Sequence, residues 1–192
     1  MKKLIGLKKN NVAVFISGTG SNLKNLIKFS KKKYFPININ LIISDTKEAK
    51  GLEYSKKYKI KKKIVNFNNR NEAEKKILKT LIKKKIKFIC LAGFMKILSA
   101  NFIKRFDGMI INIHPSLLPK YKGLNTHERA IKNGDKMTGC TVHFVNKKLD
   151  SGIIILQKKV RINKADNPVT LAKKVLKEEH RLYPAAILKI LN

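Results

Sequence analysis

Apolar residues along this chain alternate between short continuous runs and stretches where they recur every three or four positions. Runs at Asn11–Ser17, Ile37–Ser44, Ile64–Phe67, Phe88–Ala92 and Met109–Ile113 have the length and composition of buried parallel strands. Between them, Leu23, Leu26 and Ile27 follow helical spacing, 47–58 reads as helix, and Glu72–Lys84 carries a stripe of Ile77, Leu78, Leu81 and Ile82. Ser99–Phe106 reads as a short capped helix. Strand and helix therefore alternate, which predicts an α/β class: a mostly parallel twisted sheet with helices on both faces and right-handed crossovers.

Past residue 115 the pattern changes. Thr126–Asn133 predicts a short helix, and Thr138–Val145 and Ile153–Ile162 predict two strands, antiparallel additions joined by the Lys147–Gly152 loop. Asp166-Asn167-Pro168 then opens a helix from Val169 to about Glu179 that resumes beyond Tyr183-Pro184 to Leu191. No internal repeat or Pro/Ser-rich linker interrupts the series, so a single domain spanning 1–192 is expected.

Two places in this frame hold candidate chemistry. Asn112 and His114 lie two apart at the end of an apolar run, so in a strand they share a face while Ile111 and Ile113 point to the core. Pro115 stops the ladder and leaves them at a carboxyl edge, where open α/β sheets keep their sites. The second place is Gly18-Thr19-Gly20-Ser21-Asn22, between a strand and a helix start. Such a loop can cradle phosphate, because glycines let the backbone approach and the helix dipole favours an anion. It lacks the third glycine of the dinucleotide fingerprint and the Gly-Lys-Ser/Thr end of the Walker loop, so a plain tight turn is the alternative. His143, alternating with Val142 and Phe144, reads as a packing or bracing histidine, and His127 as a surface or loop-bracing one.

Composition changes this picture little. The net charge of +32, from 44 basic and 12 acidic residues, would ordinarily point to nucleic acid. The lysines, however, cluster at 31–33, 56–63 and 83–87, near predicted helix ends, with no aromatic interleaving, which weakens that reading: they read as solvated decoration, and no specific nucleic-acid partner is expected. No apolar run approaches the roughly 18 to 20 residues that span a bilayer and the start has no signal-like core, so a cytoplasmic protein without a membrane partner is expected. Cys90 and Cys140 lack ligand-spaced partners, so neither a disulfide framework nor a metal site is expected.

The segments Ile16–Leu23, Leu91–Met95, Asn112–Pro119 and Leu149–Gly152 together resemble the phosphoribosylglycinamide formyltransferases, and the resemblance covers nearly the whole chain. It implies a Rossmann-like formyltransferase fold and formyl transfer from 10-formyltetrahydrofolate, a cosubstrate, to the glycine amine of phosphoribosylglycinamide. It implies catalytic roles for Asn112, His114 and Asp150, and a phosphate loop at Gly20, Ser21 and Asn22. The folate slot would fall on Met95, Lys96, Ile97 and Leu98, on Asn112 and on the loop before Asp150, while Glu179 would hold the substrate amine. The partners are then small molecules, and the chain is a monomer or homodimer.

Thr19, Lys96, Lys122 and Asn125 depart from the family pattern without touching the central chemistry. A folate-contacting Arg expected at position 71 is replaced by Asn71, with Arg70 one place earlier. Relatives acting on methionyl-tRNA usually carry an additional C-terminal domain and a different glycine loop, and a formyltetrahydrofolate hydrolase would have no phosphate for Gly20–Asn22 to hold. A polyanion-binding module would explain the charge but not the Asn, His and Asp set.

The chemistry fits those residue types. Formyl transfer passes through a tetrahedral intermediate whose oxygen gains charge while nitrogen loses a proton, and one well-placed donor to that oxygen is worth about 3 to 4 kcal/mol. Asn112 beside His114 would supply donors. Asp150 would orient His114, raise its proton affinity and help relay the amine proton.

Overall fold

The computed structural model describes residues 9–191, and the strands and helices follow the predicted alternation. In chain order they are β1 (Asn10–Ile16), α1 (Ser21–Ser30), β2 (Ile37–Ser44), α2 (Glu53–Tyr58, entered through a 3-10 turn at Lys50–Leu52) and β3 (Lys61–Ile64). Next come α3 (Arg70–Lys83), β4 (Phe88–Leu91), α4 (Ala100–Arg105), β5 (Met109–His114), α5 (Thr126–Lys132), β6 (Met137–Phe144), β7 (Ile154–Arg161) and α6 (Pro168–Leu191). Seven strands form one sheet in the order β3-β2-β1-β4-β5-β6-β7. The class is the expected one, parallel at first with antiparallel strands added in the C-terminal half.

The chain divides into two compact units, the first running to Ile110 and the second from Ile111 to Ile190. In the first, β1 pairs in parallel with β2 and β4, and β2 with β3. Val12 through Ile16 are fully buried, as are Leu23 and Leu26 of α1 and Ile77 and Leu81 of α3. Each such side chain contributes about 1.5 to 3 kcal/mol by leaving water. Ile82, assigned to the α3 stripe from its spacing, is instead 74% exposed, one step round the helix from Leu81. Asn69 caps α3, its side chain accepting from the Glu72 amide.

The β3 strand sits earlier than the predicted Ile64–Phe67: it is Lys61–Ile64, an edge strand on which Lys61 and Lys62 are exposed and Lys63 is half-buried. Charged edges of this kind resist pairing with other chains, and the apolar run began only where the strand ends. It follows that part of the 56–63 lysine run lies on a strand and not at a helix end. The predicted 47–58 helix is shortened to a 3-10 turn plus two turns of α2, because Gly51 is pressed against other backbone at its start.

In the second unit β5, β6 and β7 are antiparallel, with Asn112 opposite His143 and His114 opposite Thr141. The α6 helix corrects another expectation, for it runs through Pro184 without interruption. A mid-helix proline loses one hydrogen bond and crowds the preceding turn. Here the buried positions Leu171, Val175, Leu182, Tyr183, Ala186 and Ile187 hold both halves in one stripe, and the Tyr183 hydroxyl reaches the Ile111 carbonyl at 3.4 Å. Cys90 and Cys140 are fully buried thiols. Among the described residues no helix is long and apolar enough to cross a membrane, and no group of three or more His, Cys, Asp or Glu side chains is placed to hold a metal ion.

Candidate active site

The carboxyl end of β5 carries Asn112 and His114, and the antiparallel register sets His143 of β6 directly opposite Asn112. Asp150 enters from the β6–β7 loop with φ 44°, a left-handed conformation that Asp tolerates better than most residues. The loop is tight: a side chain at Gly152 would place its Cβ 1.6 Å from the Phe144 carbonyl oxygen, so only glycine fits there. Asn146 closes the same loop by donating to the Ser151 carbonyl at 3.0 Å.

These four side chains form one polar cluster. Asp150 places Oδ2 3.4 Å from Nδ1 of His114 and Oδ1 3.6 Å from Nε2 of His143. Its Oδ2 also accepts from the Gly123 amide at 2.9 Å. Nδ1 of His143 lies 2.8 Å from its own neighbour's carbonyl, Phe144, which can only accept. In the neutral ring Nε2 is then an acceptor, matched by the Asn112 amide nitrogen 3.4 Å away. That arrangement leaves the second N–H of Asn112 for another acceptor.

His114 is held at both nitrogens. Its Nε2 is 2.9 Å from the Tyr121 carbonyl and its Nδ1 faces the Asp150 carboxylate, and both groups can only accept. The neutral ring therefore donates to one of them, and the imidazolium donates to both. Burial pushes His114 below the ordinary imidazole range; the Tyr121 carbonyl and the Asp150 charge oppose that shift without cancelling it. The expected rise in proton affinity from Asp150 is thus present but outweighed. Burial alone would raise Asp150, yet the nearby His143 imidazole, the Gly123 amide and the His114 imidazole hold its carboxyl below the usual range.

Tyr121 is itself clamped. It has φ 55°, its hydroxyl donates to Asp135 at 2.8 Å and accepts from Asn133 at 3.0 Å, and the Arg129 guanidinium lies 5.1 Å from its ring centroid. Sequence reasoning did not single out Tyr121, whose contribution here is a backbone oxygen and so leaves no side-chain signature. It did note His143, but as a bracing residue outside the set; only the strand register brings it against Asn112 and Asp150.

In the first unit the glycine loop caps α1. Gly20 has φ 70°, and a Cβ on it would lie 2.7 Å from the Cα of Gly51, so two backbones touch where no side chain fits. Gly51 donates to the Gly18 carbonyl at 3.0 Å. Its signal in the sequence was a glycine inside a segment read as helix. No side chain caps α1 at Gly20, which leaves the first-turn backbone to other acceptors. Ser21 and Asn22 begin that helix, with Asn22 buried.

Ser17 joins this loop to the next one, its amide donating to Gly93 and its hydroxyl accepting from the Met95 amide at 2.8 Å. Met95 and Ile97 are 61% and 59% exposed, apolar side chains turned to solvent on a braced loop, whereas Leu98 is buried. Lys96 lies 3.8 Å from Asp45. Arg70 and Asn71 are the exposed first residues of α3. In the second unit Glu179 is buried on the α6 stripe, near enough to Cys140 that burial, with Glu179 and Glu178 adding to it, pushes that thiol up to about 12.

Comparison with known proteins points one way. The formyl transferase family model matches residues 10–187. The trifunctional purine biosynthetic protein adenosine-3 of Homo sapiens is 43% identical over 94% of this chain, which spans only 18% of that protein's length. The phosphoribosylglycinamide formyltransferase of Haemophilus influenzae is 42% identical over 92% of this chain and 84% of its own. The crystal structure of the Brucella melitensis phosphoribosylglycinamide formyltransferase superposes with a TM-score of 0.90 at 44% identity, covering 96% of each chain. On the family match, the sheet and these relatives together, the chain belongs to the formyl transferase family.

Proposed function

We propose that the chain, acting as a single formyltransferase domain, transfers the formyl group of 10-formyltetrahydrofolate to the glycine amine of 5-phosphoribosylglycinamide in de novo purine biosynthesis. The observation that carries the reading is the part-buried Asn112–His143–Asp150–His114 cluster, in a chain similar over most of its length to proteins named for this reaction.

In the proposed reaction the amine nitrogen attacks the formyl carbon, forming a C–N bond while the carbonyl electron pair moves onto oxygen. Asn112 donates its remaining N–H to that oxygen, with His143 holding the amide in the orientation that frees it. The amine proton must leave and the folate nitrogen must gain one as its bond to carbon breaks; Asp150 and His114 hold that proton in transit. Because both nitrogens of His114 already have partners, His114 acts through Asp150 unless the Tyr121 carbonyl moves aside. Gly20, Ser21 and Asn22 are assigned to the substrate phosphate and Glu179 to its amine. Met95, Lys96, Ile97 and Leu98, with Asn112, are assigned to the folate, the exposed Met95 and Ile97 supplying apolar surface for a flat ring.

The test is incubation with 10-formyltetrahydrofolate in the presence and absence of phosphoribosylglycinamide, following the deformylated folate. Release that depends on the second substrate, with stoichiometric formylation of its amine, is the expected result. Release without the amine would indicate a hydrolase and overturn the proposal.

A further inference from the structure

Asp150 takes one hydrogen bond from a peptide group that has a second partner at its other end. The Gly123 amide, donating to Oδ2 of Asp150 at 2.9 Å, belongs to the same planar unit as the Lys122 carbonyl. That carbonyl accepts from Nη1 of Arg129 at 2.7 Å, and the Leu124 carbonyl accepts from the same nitrogen at 3.3 Å. A single peptide group therefore stands between a guanidinium and a carboxylate, its carbonyl toward the cation and its N–H toward the anion. A cation on the oxygen polarises the unit and makes the N–H a stronger donor, by about 10 to 30% per bond in hydrogen-bonded chains.

The surroundings place Arg129 for this. It lies on α5, where side chains lean toward the helix amino end, and the 121–125 loop enters at that end. Its guanidinium rests 5.1 Å from the Tyr121 ring centroid, and the Tyr121 hydroxyl is tied to Asp135 and Asn133. The loop needs such ties, because Tyr121 and Asn125 hold left-handed φ angles of 55° and 56°, which persist only where the surroundings over-determine them. Lys122 adds a parallel tie, its ammonium donating to Oγ of Ser151 at 2.6 Å, one residue beyond Asp150. Arg129 itself is exposed, so replacing it leaves the core untouched.

We propose that Arg129 is a positioning residue for the Asp150 carboxylate, acting through the Lys122–Gly123 peptide group. It holds the N–H on Oδ2, which fixes the carboxylate with Oδ1 toward His143 and Oδ2 toward His114. The consequence for catalysis rests on the formyltransferase reading; the effect on the carboxylate does not.

Two measurements on the full chain test it. The first is a carbon-13 NMR titration of the Asp150 carboxyl, which needs no substrate. The Gly123 amide is among the groups that hold this carboxyl below its usual range, so Arg129→Met should titrate at higher pH than the wild type. Arg129→Lys, which keeps a cation able to reach the Lys122 carbonyl, should lie between the two. Lys132→Gln, which removes an exposed cation from the same helix, should move the midpoint less than Arg129→Met. The second is steady-state formyl transfer. Arg129→Met should lower kcat by about tenfold with both KM values within about twofold. In an Asp150→Asn background the same change should cost less than about twofold, because its route is already cut. Three outcomes overturn the proposal: an unmoved Asp150 midpoint in Arg129→Met, an equal shift in Lys132→Gln, or the full kcat loss persisting beside Asp150→Asn. A wild type that transfers no formyl group would instead sink the formyltransferase reading, and the carboxyl titration would then decide this inference alone.

Discussion

The Asp150 carboxylate stands 3.4 Å from Nδ1 of His114, both side chains are 7% exposed, and the imidazole pKa nevertheless lies below its ordinary range. Desolvation and ion pairing therefore pull His114 in opposite directions, and desolvation prevails. Removing the charge should make the imbalance larger. In an NMR titration, His114 of the Asp150→Asn variant should titrate at lower pH than in the wild type. An unchanged or higher midpoint would mean the carboxylate does not act on the ring.

The same shifts have a consequence for stability. A histidine whose folded pKa is depressed stabilises the fold fully above its unfolded value of about 6.5, and that contribution declines as pH falls below it. Asp150, also depressed, contributes above about 3.9 and loses its share as pH falls through its folded pKa. Both signs agree, so Tm should fall on acidification, first below about pH 6.5 and again below about pH 4. The lower step should shrink in Asp150→Asn, and a Tm flat from pH 7 to 5 in the wild type would contradict the upper one.

If Asn112, His114 and Asp150 work as a unit, each replacement should lower kcat by about 100-fold or more with little change in KM, since charge and travelling proton appear only toward the transition state. Asp150→Asn combined with His114→Ala should cost little more than the worse single change. Additive losses would dissolve the grouping.

Gly20→Val forces a side chain into the Gly51 backbone at a left-handed position. It should raise KM for the phosphorylated substrate far more than for the folate. Equal effects on both would remove the loop from phosphate binding. Gly152→Ala, by contrast, should destabilise the protein outright by more than about 2 kcal/mol, read as a drop in chemical-denaturation midpoint.

How much of this was legible from the sequence depends on how local each feature is. The second strand was read to the residue, Ile37–Ser44, because a proline opens it and Ser44-Asp45 closes it. Asn112 and His114 were found by two-residue periodicity, which is a property of the strand alone. His143 could not be placed with them, since its position depends on an antiparallel register formed 31 residues away. The β3 strand was misplaced because an edge strand needs no apolar run, and α6 was broken at Pro184 because propensity speaks for the isolated helix and not for the stripe that holds it. Asp150 and the phosphate loop were assigned by family resemblance; spacing alone left the loop between a turn and a phosphate site.

The two thiols give the molecule a practical property. Cys90 and Cys140 are both inaccessible, and only the thiolate reacts readily with alkylating or maleimide reagents. With Cys140 pushed up to about 12, the native fold should be silent toward such labels near neutral pH. A cysteine introduced at an exposed position such as Lys62 would then take up a fluorophore or spin label alone, without first stripping the natural cysteines from the core.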